Sequence, residues 1–262
     1  MRLAVFSDIH GNLIAFEAML QDLEQVGDVD LIWCLGDLAA FGTRPTECVS
    51  RVRELQAQYG EEKFKVIGGN TDRYLVTGKR PEVPPAKDEN GFKKRQQTFA
   101  QRDAILQWNM NQLTWEDYEF LAKILGREIR TKVDGYRVVI GYHAIPGDDE
   151  PMSLRPDTPD EEALDALLDR EGRLAIGGHT HLPMDRDLDH WRAINPGSVG
   201  LSFTQPGKAE CALLTFAGRS VNVELRTVPY NTERLFSEIE SVGYPHPAFI
   251  TDRFQQNEKE GE

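Results

Sequence analysis

An α/β fold built on a mostly parallel sheet follows from three features of the 262-residue chain. Strands alternate with helices over its first third, the pattern of right-handed β-α-β units. Short apolar runs, Leu3 to Ser7, Leu31 to Leu35, Phe64 to Ile67, Arg137 to Ile140 and Leu174 to Ile176, read as buried strands. Each run then ends on groups able to bind a hard or borderline metal ion: Asp8 and His10, Asp37, Asn70, His143, and His179 with His181. Open α/β sheets gather ligands at the C-terminal ends of their strands, so the recurrence predicts one metal-filled crevice.

Between the first two strands, Leu13, Phe16, Leu20 and Leu23 recur at helical spacing and Gly27 suits the stop. After Asp37, Pro45 fits a first helical turn, Val49, Val52, Leu55 and Tyr59 form its apolar face, and Gly60 ends it. A third strand delivers Gly68-Gly69-Asn70. From about residue 74 to 131 a Pro- and Lys-rich stretch and two helices predict a cap insertion over the crevice mouth. Its second helix carries the capping pattern Thr114 and Asp117. A helix opened by Thr158-Pro159-Asp160-Glu161, carrying Leu164, Leu167 and Leu168, precedes the last ligand pair. Downstream, Trp191 to Ile194 reads as a strand, and Cys211 to Phe216 with Val221 to Val228 as an antiparallel hairpin, which implies a second sheet. A short helix over residues 232–239 completes a single domain spanning 1–253, and a frayed polar tail over 254–262 follows it.

Composition restricts the partners. Hydrophobic residues make up 40% and charged residues 28% of the chain, ordinary for a globular protein. A formal net charge of -13 repels polyanions and excludes long nucleic acid as the expected ligand. No apolar stretch is long enough to span a bilayer and no export signal is read at Met1, so a cytoplasmic location is expected. The three cysteines, Cys34, Cys48 and Cys211, form no CxxC pair and suit reduced core packing. Self-association is left open. The basic residues Arg73, Lys79, Arg80, Lys93, Lys94 and Arg95 either meet a phosphate or are simply solvated. Trp108 and Trp115 either stack a base or pack, their helical setting favouring packing.

Asp-x-His, Gly-Asp, Gly-Asn or a lone His is common in turns and cores; their order and strand-end placement together carry the metal hypothesis. A carboxylate can bridge two cations, and Asp37 after Gly36 is the natural shared ligand. Imidazole, carboxylate and amide oxygen together suit manganese, iron, zinc, cobalt or nickel better than a calcium cage. Two such ions can clamp a phosphoryl group and lower the pKa of a bridging water. His190 and His246 fit no motif.

The blocks Ser7-Asp8-Ile9-His10-Gly11-Asn12, Gly36-Asp37-Leu38, Gly69-Asn70-Thr71-Asp72, Tyr142-His143, Gly178-His179-Thr180-His181 and Asn195-Pro196-Gly197-Ser198-Val199-Gly200 together resemble the calcineurin-like metallophosphoesterases, in their small prokaryotic phosphodiesterase-like branch. The resemblance implies a four-layer α/β/β/α sandwich of two mixed sheets and a binuclear centre, with manganese the leading ion. It implies Asp8, His10 and His181 on one metal, Asn70, His143 and His179 on the other, and Asp37 between them. It further implies in-line attack of a metal-bridging hydroxide on a small phosphate ester, with Asp37, Asn70 and His10 as catalytic groups. Asn70 also orients substrate, Asp72 holds a neighbouring ligand in place, Thr71 and Arg73 stand either behind the ligands or at the substrate, and Ser198 either shapes a turn or meets phosphate. Two departures narrow the substrate. Thr71 stands where many members have a His that protonates the leaving group, which leaves His10 or a cap residue for that role. Leu38 to Gly42 lacks the Asp-Arg-Gly signature of protein phosphatases and symmetrical dinucleoside tetraphosphatases. Phosphodiester hydrolysis is therefore the leading expectation, with phosphomonoester hydrolysis or a scaffold role on the same fold as alternatives.

Overall fold

The computed structural model describes residues 1–167 and 170–260. The chain runs β1 (Arg2–Phe6), α1 (Leu13–Val26), β2 (Leu31–Cys34), α2 (Pro45–Tyr59), β3 (Phe64–Val66), α3 (Asn70–Thr77), α4 (Glu89–Gln112), α5 (Trp115–Ile124), β4 (Ile129–Val133) and β5 (Arg137–Gly141). It continues through α6 (Asp160–Asp165), β6 (Leu174–Ile176), β7 (Met184–Leu188), β8 (Trp191–Asn195), β9 (Lys208–Ala217), β10 (Ser220–Pro229), α7 (Thr232–Ser241) and α8 (Ala248–Glu260). All five apolar runs are strands, and they divide between two mixed five-stranded sheets, ordered β10-β9-β1-β2-β3 and β4-β5-β6-β8-β7.

Alternation along each strand sorts the core into layers. Ala4 and Phe6 of β1, with Ile32 and Cys34 of β2, pack against Phe16 and Met19 of α1 and Val49 and Val52 of α2. Leu3, Val5, Trp33 and Leu35 point the other way, onto Val139, Leu174, Ile176 and Ile194 of the second sheet. The far face of that sheet, with Ile140, Ala175 and Ala193, is covered by Ala163 of α6 and by Leu154 and Leu167. The order is helix, sheet, sheet, helix, the expected four layers. Strands covered on both faces have no polar side to show, which is why the runs are nearly continuous in apolar residues.

Several details differ from the sequence reading. The β9-β10 hairpin does not belong to the second sheet: β9 pairs antiparallel with β1, Leu3 opposite Leu214, and extends the first. Ala212 and Leu214 face the inter-sheet core while Cys211 faces α1, and that alternation fixes the side of attachment. The expected insertion of 74–131 overlaps ordered elements at both ends, because α3 continues to Thr77 and residues 129–133 are edge strand β4, paired with β5. Helices α4 and α5 pack on α2 and α3. Asn109 of α4 accepts a hydrogen bond from Phe41 N and donates to Gly42 O, pinning the loop after Asp37. The expected tail begins inside α8, since Phe249, Ile250 and Phe254 pack into a cluster with Ile14, Ile105, Leu235 and Tyr244. Helix α6 is shorter than expected, and the Leu168 assigned to its apolar face, like the last two tail residues, lies outside the described residues. The three cysteines are buried and free, and no described helix is long and apolar enough to cross a membrane.

Trp33 has no exposed surface and sits between the sheets, its ring 3.0 Å from where a side chain on Gly141 would begin. Trp33→Ala is expected to lower the unfolding free energy by about 3–5 kcal/mol in denaturant titration; a loss below about 1 kcal/mol would mean the layers are not locked there.

Candidate metal centre

The parallel strands of both sheets end at the same place, and their tips are tied together by backbone. Asp8 N donates to Gly36 O, His10 N to Asp37 O, Gly178 N to His143 O and Gly200 N to Asp8 O. Such crossings need sharp turns. Asp8, His10, Asp37, His179 and His181 all lie in the left-handed region, with φ between 48° and 64°. Five non-glycine residues held there at one site mark backbone that packing and hydrogen bonds over-determine. Gly69 leaves room for the donors themselves, since a Cβ there would collide with Asp37 Oδ1 and the His143 ring.

Two groups of donors result. His10 Nε2 and His181 Nε2 face each other at 3.1 Å, and Asp8 Oδ1 lies 3.2 Å from His181 Nε2 and 3.7 Å from His10 Nε2. Asn70 Oδ1 lies 3.0 Å from His143 Nε2 and 3.1 Å from His179 Nδ1. Asp37 Oδ2 stands 3.6 Å from His10 Nε2 and 3.5 Å from His143 Nε2, so it faces both groups. Asp8, His10 and His181 form one cluster with metal-ligand spacing, and Asp8, Asp37 and His143 a second. The seven predicted donors are thus brought together, six of them buried and His179 partly so.

Neighbouring groups aim these donors. The Nδ1 atoms of His10, His143 and His181 are 2.9, 2.7 and 2.7 Å from the carbonyls of Ala40, Leu35 and Leu201. A carbonyl only accepts, so each Nδ1 carries the proton and each Nε2 is turned inward, as in known metal sites. Asp37 Oδ1 accepts from Thr71 N at the start of α3, leaving Oδ2 for the centre. Asp72 accepts from the backbone N–H groups of Asp37, Leu38 and Gly69. Asn70 Nδ2 donates to the Tyr74 hydroxyl, which donates to Glu150, and this sets which way the Asn70 oxygen points.

Titration follows from this crowding. Burial lowers the His10 pKa to about 4, so its imidazole is neutral at neutral pH. Burial works against charge on His143 too, but the carboxylate of Asp37 outweighs it and raises that imidazole to about 10. Burial raises Asp37 and Asp8, yet His143 and His181 respectively outweigh that and hold both carboxyls below their ordinary value. Burial and the charge of His143 lower His179. Burial and the charge of Asp37 push Asp72 up to about 7.

The remaining predicted residues fall into place around the centre. Thr71 is buried with its hydroxyl unpaired. Arg73 does not reach inward; Asp149 and Glu150 chelate its guanidinium. Ser198 is fully buried, donating to Asp8 O and accepting from Leu201 N, so it shapes the turn and has no hydroxyl free for phosphate. Arg80 pairs with Asp103 and Lys93 with Glu89, as solvated surface charges do. Trp108 packs edge-on against Tyr244, whereas Trp115, expected to pack, is 68% exposed and stacked on Tyr118. His190 pairs with Asp189 at the surface. Phe41, Phe203, Asn109 and Glu210, the last accepting from Ser198 N, also stand around the centre and escape the sequence reading, because no motif marks them.

The donor set fits divalent cations. His10 and His181 turn Nε2 toward each other with no group between them, and Asp8 Oδ1 and His179 Nε2 are buried without hydrogen-bond partners. A cation satisfies such groups, whereas unpaired they are costly.

A two-sheet sandwich that delivers carboxylates and imidazoles to one buried point defines a metal-site α/β protein. The chain belongs to the calcineurin-like phosphoesterase superfamily, whose domain model matches residues 1–219, and the family implies divalent metal ions. It is 28% identical over 254 residues to the uncharacterized protein MJ0912 of Methanocaldococcus jannaschii, covering 90% of this chain and 91% of that one. The fold is also that of the hypothetical protein PH1004 from Pyrococcus horikoshii OT3, at TM-score 0.78 and 20% identity over 95% of this chain and 96% of that one. A metallophosphoesterase from Sphaerobacter thermophilus is similar at TM-score 0.68 and 24% identity, over 97% and 98% of the two chains.

A cation at His143 must displace the proton that Asp37 holds there, so affinity is expected to rise with pH. Below a pKa of about 10 the site binds that proton, and manganese titrations between pH 6 and 8 should gain about tenfold per unit with about one proton released. Affinity independent of pH, with no proton release in calorimetry across buffers, would contradict this. Asp72→Ala strands three buried N–H donors and is expected to weaken manganese binding by about 10–100-fold, measured by the same titration.

Proposed function

We propose that this chain is a divalent-metal-dependent phosphodiesterase acting on small phosphodiesters, nucleotides among them, with manganese the leading ion and the cytoplasm as its place of work. The convergence of all seven donor groups on one point carries the proposal, because a scaffold has no need to bury them together. Bound divalent ions would supply Lewis acidity toward phosphoryl oxygens and a more acidic water.

The chain's own groups hold and orient. Asp37 presents one oxygen to both donor groups while Thr71 N fixes the other. Asn70 offers its oxygen inward, with the amide set by Tyr74. His10, neutral at neutral pH with its Nδ1 proton given to Ala40 O, suits a ligand and has no proton to give a leaving group. The Thr71 hydroxyl cannot act as an acid near neutrality. Esters with good leaving groups are therefore the favoured substrates. The net charge of -13 weighs against long nucleic acid as a partner.

Chelator-stripped protein given manganese is expected to hydrolyse bis(p-nitrophenyl) phosphate faster than p-nitrophenyl phosphate, and Asp37→Asn to lose the activity. A faster monoester rate would make the protein a phosphatase, and silence on both with metal bound would favour a scaffold. Without a general acid, alkyl diesters should react at least about 100-fold more slowly than p-nitrophenyl diesters, the lower range of what such an acid contributes. A rate independent of leaving-group pKa would reveal an acid not identified above.

A further inference from the structure

A closed circuit of six side chains stands at one edge of the centre. His10 and His181 meet through Nε2. His181 stacks on Phe203 with ring centroids 4.5 Å apart, and the His10 ring lies 5.9 Å from Phe41. Phe41 stacks on Phe249 of α8 at 5.2 Å. The guanidinium of Arg253, one turn further along α8, lies 4.4 Å from the Phe249 centroid and 5.7 Å from that of Phe203, which closes the circuit. Arg253 also lines a small cavity with Gly200, Leu201 and Ser202, in the loop whose Leu201 carbonyl orients His181. The C-terminal helix thus brings a cation to the rim of the site, one aromatic ring away from a metal-ligand candidate.

This cation has donors to offer. Arg253 Nη1 donates to Phe249 O, and among the described residues no carboxylate forms an ion pair with it. Arg73, Arg80, Arg186, Arg192 and Arg226, by contrast, are each in ion pairs. Arg253 is half-buried, and burial lowers its pKa, a cost that an anionic ligand offsets. Phe203 beside it is 48% exposed, so the approach is open to solvent. A hydrogen bond from arginine to phosphate spans about 2.8 Å. The Phe203 ring stands between the Arg253 guanidinium and His181, so an anion bound at Arg253 is a different group from one held at the metal-ligand candidates.

We propose that Arg253, held between Phe249 and Phe203, anchors a second phosphate on the substrate, so that the enzyme selects nucleotide diesters carrying an additional terminal phosphate. This rests on the phosphodiesterase reading of the same site. The test compares thymidine 5′-(p-nitrophenyl phosphate) with and without a 3′-phosphate, using full-length wild-type protein, Arg253→Gln and Arg253→Lys. The 3′-phosphate is expected to lower KM about tenfold in wild type, which is about 1.4 kcal/mol. Arg253→Gln should bring the two KM values together and Arg253→Lys should keep most of the difference. In parallel, calorimetry compares thymidine 3′,5′-bisphosphate with thymidine 5′-monophosphate on the manganese-loaded proteins. Tighter bisphosphate binding by wild type that vanishes in Arg253→Gln supports the anchor even if no ester is hydrolysed, an outcome that would remove the phosphodiesterase reading alone. Equal binding of the two nucleotides by wild type, or an advantage that survives in Arg253→Gln, would overturn the anchor whether or not the protein cleaves diesters.

Discussion

Two carboxylates, an amide and four imidazoles are drawn together at one almost wholly buried point, and the surrounding fold is arranged to hold them there. Charged and polar groups removed from water are unfavourable unless they are paired or coordinate a cation. The crowding sets the partners of each donor. His143 leans on Asp37, His181 on Asp8, and three imidazoles give their outer proton to a carbonyl. Left-handed backbone at five of the seven donors is the conformational counterpart of the same demand. Asp72, buried and shifted toward neutrality, ties the Asp37 and Gly69 turns together from beneath.

The sandwich architecture meets this demand because two sheets end at one place. Strands β1, β2 and β3 deliver Asp8, His10, Asp37 and Asn70, while β5 and β6 deliver His143, His179 and His181. The inter-sheet layer around Trp33, Leu35, Ile176 and Ile194 fixes the spacing of the two sets. A shift between the sheets would separate Asp37 from His143, so the apolar core between them also positions the centre.

Much of this is legible in the sequence, for particular physical reasons. Continuous apolar runs report strands covered on both faces, and polar groups at their ends report a crevice. Strands β4 and β7 are not legible, because Arg130 and Lys132, and Asp185, Arg186 and Asp187, place charge on edge strands with a solvent side. The hairpin is recognisable but its sheet is not, since only the register against β1 decides it. At the centre, the donor types are readable and their aim is not. The aim depends on the carbonyls of Ala40, Leu35 and Leu201, which any residue supplies. Ser198 and Arg73 look available for phosphate in the sequence, but Asp8 O and Leu201 N occupy the first, and Asp149 and Glu150 the second, through contacts mostly distant in sequence. The end of helix α8 reads as a tail because only polar residues and a glycine follow Phe254, whose packing on Phe236 the sequence does not reveal.

We propose that these seven donors form a single site for two cations, with Asp37 facing both donor groups. The most direct test is metal content by plasma mass spectrometry after manganese reconstitution, together with electron paramagnetic resonance of the loaded protein. Two manganese ions per chain, with the signal of an exchange-coupled pair, is the predicted result. One ion per chain, or two giving only the signals of isolated ions, would contradict the shared centre.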